Sequence, residues 1–590
     1  MGQFFKMLLA SCLGVLIAGA VIIGFGVLII AGLASSSTKP PKLEPNTVLQ
    51  LDFNEAVPEK TNNIMSDGFS LETDDIIGLT DIVELIGHAK EDNKIKGIIL
   101  KADMLNMGRA SASVIREALE DFRSSGKFIY AYADMFSEGA YYLASASDSI
   151  YVNPMGGVDF KGMAASISFY KNLMDKAGVK MQVFYAGEFK SATEPFRLTQ
   201  MSDQNRLQVR EFLEDIYNTH LNTISSSRNI SPEKLRQLAN DYVGSDAEKA
   251  REAGLIDGVI YWDQFLDRLR NRMGMEADDK IPVVSLDKYY LQHKDDTDYG
   301  VKDKIAVVYA EGDIVGGKNL PGFVADEDYI HMLRKIRKDK TIKAVVLRVN
   351  SPGGSALTSE KIWRELTQIK EAGKPLIVSM GDYAASGGYY IACIGDTILA
   401  EPNTLTGSIG VFRMIPNARE LMENKLGITM DTVKTTKHAT GLSLYYEIEP
   451  EMGAILQKQT EEMYATFLKR VADGRGMSVS AVNEIGRGRI WTGRKALEIG
   501  LVDKIGGLED ALEIAAQKAG LEKYRTSEYP KVKSPIEQML EKFIDNPGDQ
   551  AKTKIIQEEL GDFYPLYQQM KAIQNQATPQ ARLPFVINIQ

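Results

Sequence analysis

An α/β fold built twice over is predicted by three features: self-similarity at one nearly constant offset, apolar runs of strand length, and amphipathic helical stretches between those runs. Gly139-Ala-Tyr-Tyr-Leu-Ala144 resembles Gly387-Gly-Tyr-Tyr-Ile-Ala392, a displacement of 248 residues. In the same order, Lys94-Ile-Lys-Gly-Ile-Ile-Leu-Lys101 matches Thr341-Ile-Lys-Ala-Val-Val-Leu-Arg348, and Ala177-Gly178 matches Leu426-Gly427. Ala250-Arg-Glu-Ala-Gly-Leu-Ile-Asp257 matches Ala496-Leu-Glu-Ile-Gly-Leu-Val-Asp503. Four ordered matches displaced by 246 to 249 residues indicate a tandem duplication. In the second half, the runs 305–309, 344–349, 376–380 and 397–400 alternate with helical stretches such as 359–371, the pattern of βαβ units around a buried, largely parallel sheet.

Taken from its start, the chain opens on Met7–Ala34, 28 residues without a charge. That is enough to cross roughly 30 Å of hydrocarbon, so one transmembrane helix is expected. A cleaved signal peptide ending near Ala34-Ser35-Ser36 would have an apolar region about half as long, and the lipoprotein-like Leu9-Ala10-Ser11-Cys12 lies too close to Lys6. Lys6 precedes the span while Lys39 and Lys42 follow it, so charge alone leaves its orientation open. Residues 1–46 therefore read as a cytoplasmic stub, anchor and linker, 47–295 as the N-terminal repeat, 296–525 as the C-terminal repeat, and 526–590 as a polar helical tail. A chain of 590 residues with 44% apolar and 25% charged composition is ordinary multidomain globular material. Its net charge of −10, with no basic run, excludes a nucleic-acid partner as an expectation. Two cysteines, Cys12 and Cys393, say nothing about redox compartment.

The chemistry concentrates where a strand runs through small residues into a helix, Val378-Ser-Met-Gly-Asp-Tyr-Ala-Ala-Ser386-Gly-Gly. A serine there is a candidate nucleophile, with its own N–H and that of Gly387 at the positive end of a helix. One βα unit earlier, Arg348-Val-Asn-Ser-Pro-Gly-Gly-Ser355 places Gly354 as a second oxyanion donor. The N-terminal half has Lys101-Ala-Asp-Met-Leu-Asn-Met-Gly108 instead, and Glu138 stands where Ser386 stands. It does carry Lys190 in Glu188-Phe-Lys-Ser-Ala-Thr-Glu-Pro195, and aligning Met181 with Met430 puts Ala439 opposite that lysine. One site assembled from both halves is the simplest reading. None of the five histidines (His88, His220, His293, His331, His438) belongs to a Ser-His-Asp pattern, so the base falls to a lysine made neutral by desolvation. Lys190 is accordingly expected to be buried. HExxH, CxxC, Walker A and GxGxxG motifs are absent, and Ala384 breaks the GxSxG elbow, so no metal or cofactor is expected.

These motifs, with Thr406-Gly-Ser-Ile-Gly-Val411 and Lys190-Ser-Ala-Thr-Glu-Pro-Phe196, resemble the signal peptide peptidase A family in its long two-repeat form. The resemblance covers nearly the whole chain. It implies tandem repeats of the ClpP/crotonase-like fold and a Ser/Lys dyad, with Ser386 as nucleophile, Lys190 as general base, Ser408 orienting the amine, and Gly354 and Gly387 as oxyanion donors. It further implies apolar signal-peptide substrates, a homotetramer, and a single-pass inner-membrane location with the catalytic part on the periplasmic side. Lys437-His438 is a mild departure. Two rival readings are a crotonase acting on acyl-CoA thioesters and a non-catalytic membrane scaffold, the latter requiring Lys190 and Ser386 to lie far apart.

Overall fold

The computed structural model describes residues 13–14, 42–64, 75–294, 299–318, 321–532 and 579–583. Apart from Leu13 and Gly14, the predicted span Met7–Ala34 lies outside the described residues, as does the helical tail from 534 to 575. Among the described residues, no helix is long and apolar enough to cross a membrane.

Strands apolar on both sides dictate a sheet covered on both sides. In the N-terminal repeat Ile98 and Leu100 face one core, while Ile99 and Val48 face another, smaller one. The sheet runs Gly258–Val259, Ser149–Asp159, Phe128–Ser137, Ile95–Leu100, Thr47–Leu51, Val283–Ser285, with every neighbour parallel. The C-terminal repeat builds the counterpart: Arg525–Tyr529, Lys304–Glu311, Ile342–Ser351, Leu376–Ala385, Leu405–Gly407, closed by the antiparallel Ile490–Thr492. The strand ahead of Ser386 is longer than the sequence suggests. Its first part pairs with Thr397–Ala400 and its last part with Leu405–Gly407, so the small residues read as a turn are strand up to Ala385.

The duplication is visible contact by contact. Tyr141 Oη donates to the Leu255 carbonyl at 2.7 Å, and Tyr389 Oη donates to the Leu501 carbonyl at 2.8 Å. Asp257 accepts from Ile150 N–H, and Asp503 from Ile398 N–H, both at 2.8 Å.

A third sheet crosses the repeats: Phe323–Ala325, Asp313–Val315, Gly353–Ser355, Gln580–Arg582, Val411–Asn417, Lys180–Ala186. In it, Val411–Asn417 of the second repeat runs antiparallel to Lys180–Ala186 of the first, Val411 opposite Ala186 and Asn417 opposite Lys180. The sequence alignment of Met181 with Met430 does not carry over to structure, because 428–446 forms no strand and Ala439 is exposed.

Two polar clasps lock the repeats. Asp382, in the strand leading to Ser386, caps the N-terminal-repeat helix Arg109–Ser124 by accepting from Ala110 N–H at 2.9 Å, Ser111 N–H at 3.1 Å and Ser111 Oγ at 2.5 Å. A Cβ on Gly108 would sit 2.0 Å from the Asp382 carboxyl carbon, so only glycine admits the clasp. The second clasp is Arg348 with Glu59, both 2% exposed, joined through Nε at 2.9 Å and Nη2 at 3.2 Å. Arg348 also donates to Ser379 Oγ at 2.8 Å and to the Met380 carbonyl at 3.1 Å. Burial and the Glu59 charge push Glu311, whose carboxylate accepts from Glu59 N–H, up to about 8. Removing one member of a buried pair strands the other charge, so Glu59→Ala is expected to lower unfolding free energy by about 3–5 kcal/mol in a urea titration. A loss under about 1 kcal/mol would show that the clasp does not hold the repeats.

Candidate active site

Ser386 follows the last residue of its strand with φ 56° and ψ −113°, a backbone position uncommon for any residue but glycine. The turn aims its side chain inward, and the residue is fully buried. Its N–H donates to the Gly407 carbonyl at 2.8 Å, so this amide, a sequence candidate for oxyanion binding, is already committed. Gly387 opens the helix Gly387–Ala392, where the first N–H groups have no partner inside the helix.

Lys190 arrives from the other repeat, four residues beyond the end of Lys180–Ala186. Its side chain is 1% exposed. Nζ lies 2.7 Å from Ser386 Oγ, 3.0 Å from Ser408 Oγ and 3.0 Å from the Ser408 carbonyl oxygen. Desolvation alone drives the amine well below its usual range, with no neighbouring carboxylate to restore the charge. A neutral amine has two N–H donors and one lone pair. The Ser408 carbonyl and hydroxyl oxygens take the donors, and the lone pair then faces the Ser386 hydroxyl.

The lysine loop is held by residues that sequence reasoning did not single out. Phe189 N–H donates to the Arg487 carbonyl at 2.8 Å, Gly488 N–H to Ile409 at 2.7 Å, and Ser408 N–H to Arg489 at 2.6 Å. The stretch 487–489 thus stitches the lysine loop to the Ser408 turn. A Cβ on Gly488 would meet Lys190 N at 2.6 Å, which explains the glycine. Gln208 Nε2 donates to Ser191 Oγ at 3.0 Å and the Phe189 carbonyl at 3.2 Å, while its Oε1 accepts from Ile490 N–H at 3.2 Å. The Gly-rich cue near 488 was available; the role of Gln208 leaves no local signal.

Gly354 and Gly387 converge. The point a Gly387 Cβ would occupy is 3.1 Å from Gly354 N, and a Gly353 Cβ would be 2.7 Å from Gly387 N. The structure therefore brings together all five sequence-predicted residues, Ser386, Lys190, Ser408, Gly354 and Gly387. In the N-terminal repeat the equivalent pocket holds Glu138, buried, accepting from Gly162 N–H at 2.9 Å and 3.8 Å from His220 Nε2. Among the described residues, no three His, Cys, Asp or Glu side chains are grouped to hold a metal ion.

Peptidase family S49 matches residues 121–276 and 368–522, one segment in each repeat. Protease 4 of Haemophilus influenzae is 36% identical over 75% of this chain and 73% of its own, and Protease 4 of Salmonella typhi is 37% identical over 76% and 74%. The chain belongs to peptidase family S49. It is a serine peptidase of the signal peptide peptidase A type. A chloroplastic serine protease SPPA of Arabidopsis thaliana is 34% identical over 75% of this chain and 66% of its own. A ClpP1 mutant of Listeria monocytogenes aligns over 35% of this chain and 94% of its own at 17% identity, with a TM-score of 0.24, too low to carry a fold comparison.

In this S49 peptidase the buried amine should cost stability wherever the unfolded chain would protonate it. Its folded pKa is depressed, so the unfolded state binds more protons and stability rises with pH through the interval between the folded value and the usual lysine range. Lys190→Met keeps the volume and removes that penalty. Its melting temperature at pH 7 is expected to equal or exceed that of the parent, with the gap narrowing at pH 10. A variant melting several degrees lower at pH 7 would show that the amine is not held neutral.

Proposed function

We propose that this S49 peptidase is a membrane-anchored endopeptidase that degrades cleaved signal peptides through a Ser/Lys dyad shared between its repeats. The observation that carries the dyad is the 2.7 Å approach of a desolvated Lys190 amine to Ser386 Oγ. That spacing also disfavours a scaffold with dispersed residues. Lys190 takes the Ser386 proton, the alkoxide attacks a peptide carbonyl, and the Gly354 and Gly387 N–H groups hold the oxyanion. Lys190 then gives the proton to the departing amine, and water releases the acyl group from Ser386. Ser408 keeps the lone pair aimed at the nucleophile.

The uncharged run Met7–Ala34 supports a single-pass anchor, and the family resemblance alone is the ground for proposing the inner membrane with the repeats outside the cytoplasm. Exposed Met430, Val433 (98%) and Leu444 support self-association, with a homotetramer as the assembly proposed. The wider kinship to ClpP and the crotonases belongs to the same proposal; an acyl-CoA enzyme would not be labelled at Ser386 by a serine-reactive acylating probe.

On an apolar peptide, Lys190→Ala is expected to lower kcat by at least roughly 10²–10⁴-fold and Ser386→Ala by roughly 10⁶-fold, each with the fold intact by circular dichroism. The active form is the neutral amine, so kcat/KM should rise with pH through the Lys190 titration and level off above it. Unchanged turnover in either variant, or activity falling from neutral to alkaline pH, would overturn the dyad.

A further inference from the structure

One helix of the first repeat, Asp203–Arg228, lies against the second repeat and turns Gln208, Glu211 and Asp215, spaced three and four residues apart, onto one face. That face meets the strand Ile490–Thr492 and its flanks. Asp215 accepts from Thr492 Oγ1 at 2.5 Å and pairs with Arg494, while Glu211 pairs with Arg489. The neighbouring stripe of Val209, Phe212 and Ile216 forms one apolar cluster with Leu405, Ile490 and Ala385, the residue before the nucleophile.

At the first turn of that contact Gln208 is 1% exposed and uses both ends of its carboxamide. Nε2 faces Ser191 Oγ at 3.0 Å, Asn205 Oδ1 at 3.1 Å and the Phe189 carbonyl at 3.2 Å, so it holds the residues on either side of Lys190. Asn205 donates through Nδ2 to the buried Glu194 carboxylate at 2.9 Å, which leaves its Oδ1 toward Gln208 and fixes which end of the carboxamide donates. Oε1 of Gln208 accepts from Ile490 N–H at 3.2 Å. Ile490 stands opposite Gly407 in the antiparallel ladder, and the Gly407 carbonyl accepts from Ser386 N–H at 2.8 Å. Ser408, whose oxygens take the lysine's protons, is the next residue. A single buried amide therefore ties the loop of the base to the strand that fixes both the nucleophile and the serine orienting the amine.

We propose that Gln208 is a positioning residue that sets where the Lys190 amine stands relative to Ser386 Oγ. It touches neither reacting atom, and the inference rests on the Ser/Lys reading. A carboxamide supplies a donor for the lysine loop and an acceptor for Ile490 N–H at once, whereas a carboxylate supplies acceptors alone. Glutamate here would also bring a negative charge beside the loop of an amine whose neutrality comes from desolvation, and so hold the proton on it to higher pH. Moving Nζ from its 2.7 Å approach impairs proton transfer without altering the surface that binds peptide, so the effect falls on kcat rather than KM.

The test is kcat and KM of the full chain on an apolar peptide from neutral to alkaline pH, for the parent, Gln208→Met, Gln208→Glu and Ser191→Ala, with folding checked by circular dichroism. Gln208→Met is expected to lose about 10–100-fold in kcat with KM within about twofold of the parent. Gln208→Glu is expected to move the rising limb of kcat/KM up by about one pH unit. Should Gln208→Met not fold, Ser191→Ala decides, because it removes one acceptor of the amide and nothing else; a kcat about fivefold lower at unchanged KM supports the role. Variants that keep the parent's kcat, or a Gln208→Glu limb at the parent's pH, reduce Gln208 to packing and overturn the inference while leaving the dyad standing. A parent with no rising limb overturns the dyad, and this inference with it.

Discussion

The antiparallel pairing of Lys180–Ala186 with Val411–Asn417 is the constraint on which the site depends. It is the seam where the first repeat hands a residue to the second. The pair Ala186 and Val411 ends the ladder; Lys190 comes four residues after one member and Ser408 three residues before the other. A slip of one residue would turn every side chain of the strand to its opposite face and carry the amine away from the serine. The stretch 487–489 reinforces the seam, hydrogen-bonding to Phe189 on one side and Ile409 and Ser408 on the other. The 2.7 Å contact between the repeats is thereby set by backbone ladders rather than by free loops.

A lysine without a counter-ion in a dry pocket opposes folding, and the rest of the molecule must offset it. The offset is visible as distance from the site. The Arg348–Glu59 pair and the Asp382 cap spend the charged interactions on holding the repeats together, and no carboxylate is placed at Lys190 itself. Had a carboxylate stood beside the amine, the interface would be tighter and the base would stay protonated. Separating the clasp from the dyad lets the repeats dock firmly while the amine keeps its lone pair.

Much of this was legible because duplication writes the fold twice. Runs such as 94–101 and 341–348 announce equivalent strands, and the Gly353-Gly354 and Ser386-Gly387-Gly388 clusters stand out against the half that lacks them. Boundaries were less legible. The strand to Ser386 extends through Gly381 to Ala385 because it changes partners midway, which only the neighbouring strands decide. Lys190 and Ala439 are not structural counterparts, since 180–186 has a ladder partner and 430–439 has none in the described chain. The strand Gln580–Arg582 was missed because its own residues carry no strand pattern, and two waiting edges create it.

The asymmetry between the repeats follows from the same physics. Both keep the tyrosine and aspartate contacts that tie helix to sheet, Tyr141 with Leu255 and Tyr389 with Leu501, because those stabilise each repeat by itself. A nucleophile elbow stabilises nothing: it needs a strained φ, two adjacent glycines and a buried hydroxyl. In the first repeat the corresponding pocket holds Glu138, whose Oε2 accepts from the Lys161 and Gly162 N–H groups and whose carboxyl is pushed up by burial. The first repeat thus keeps the packing contacts of the second without its glycine pair, and the Lys190–Ser386 contact exists only where the two repeats meet.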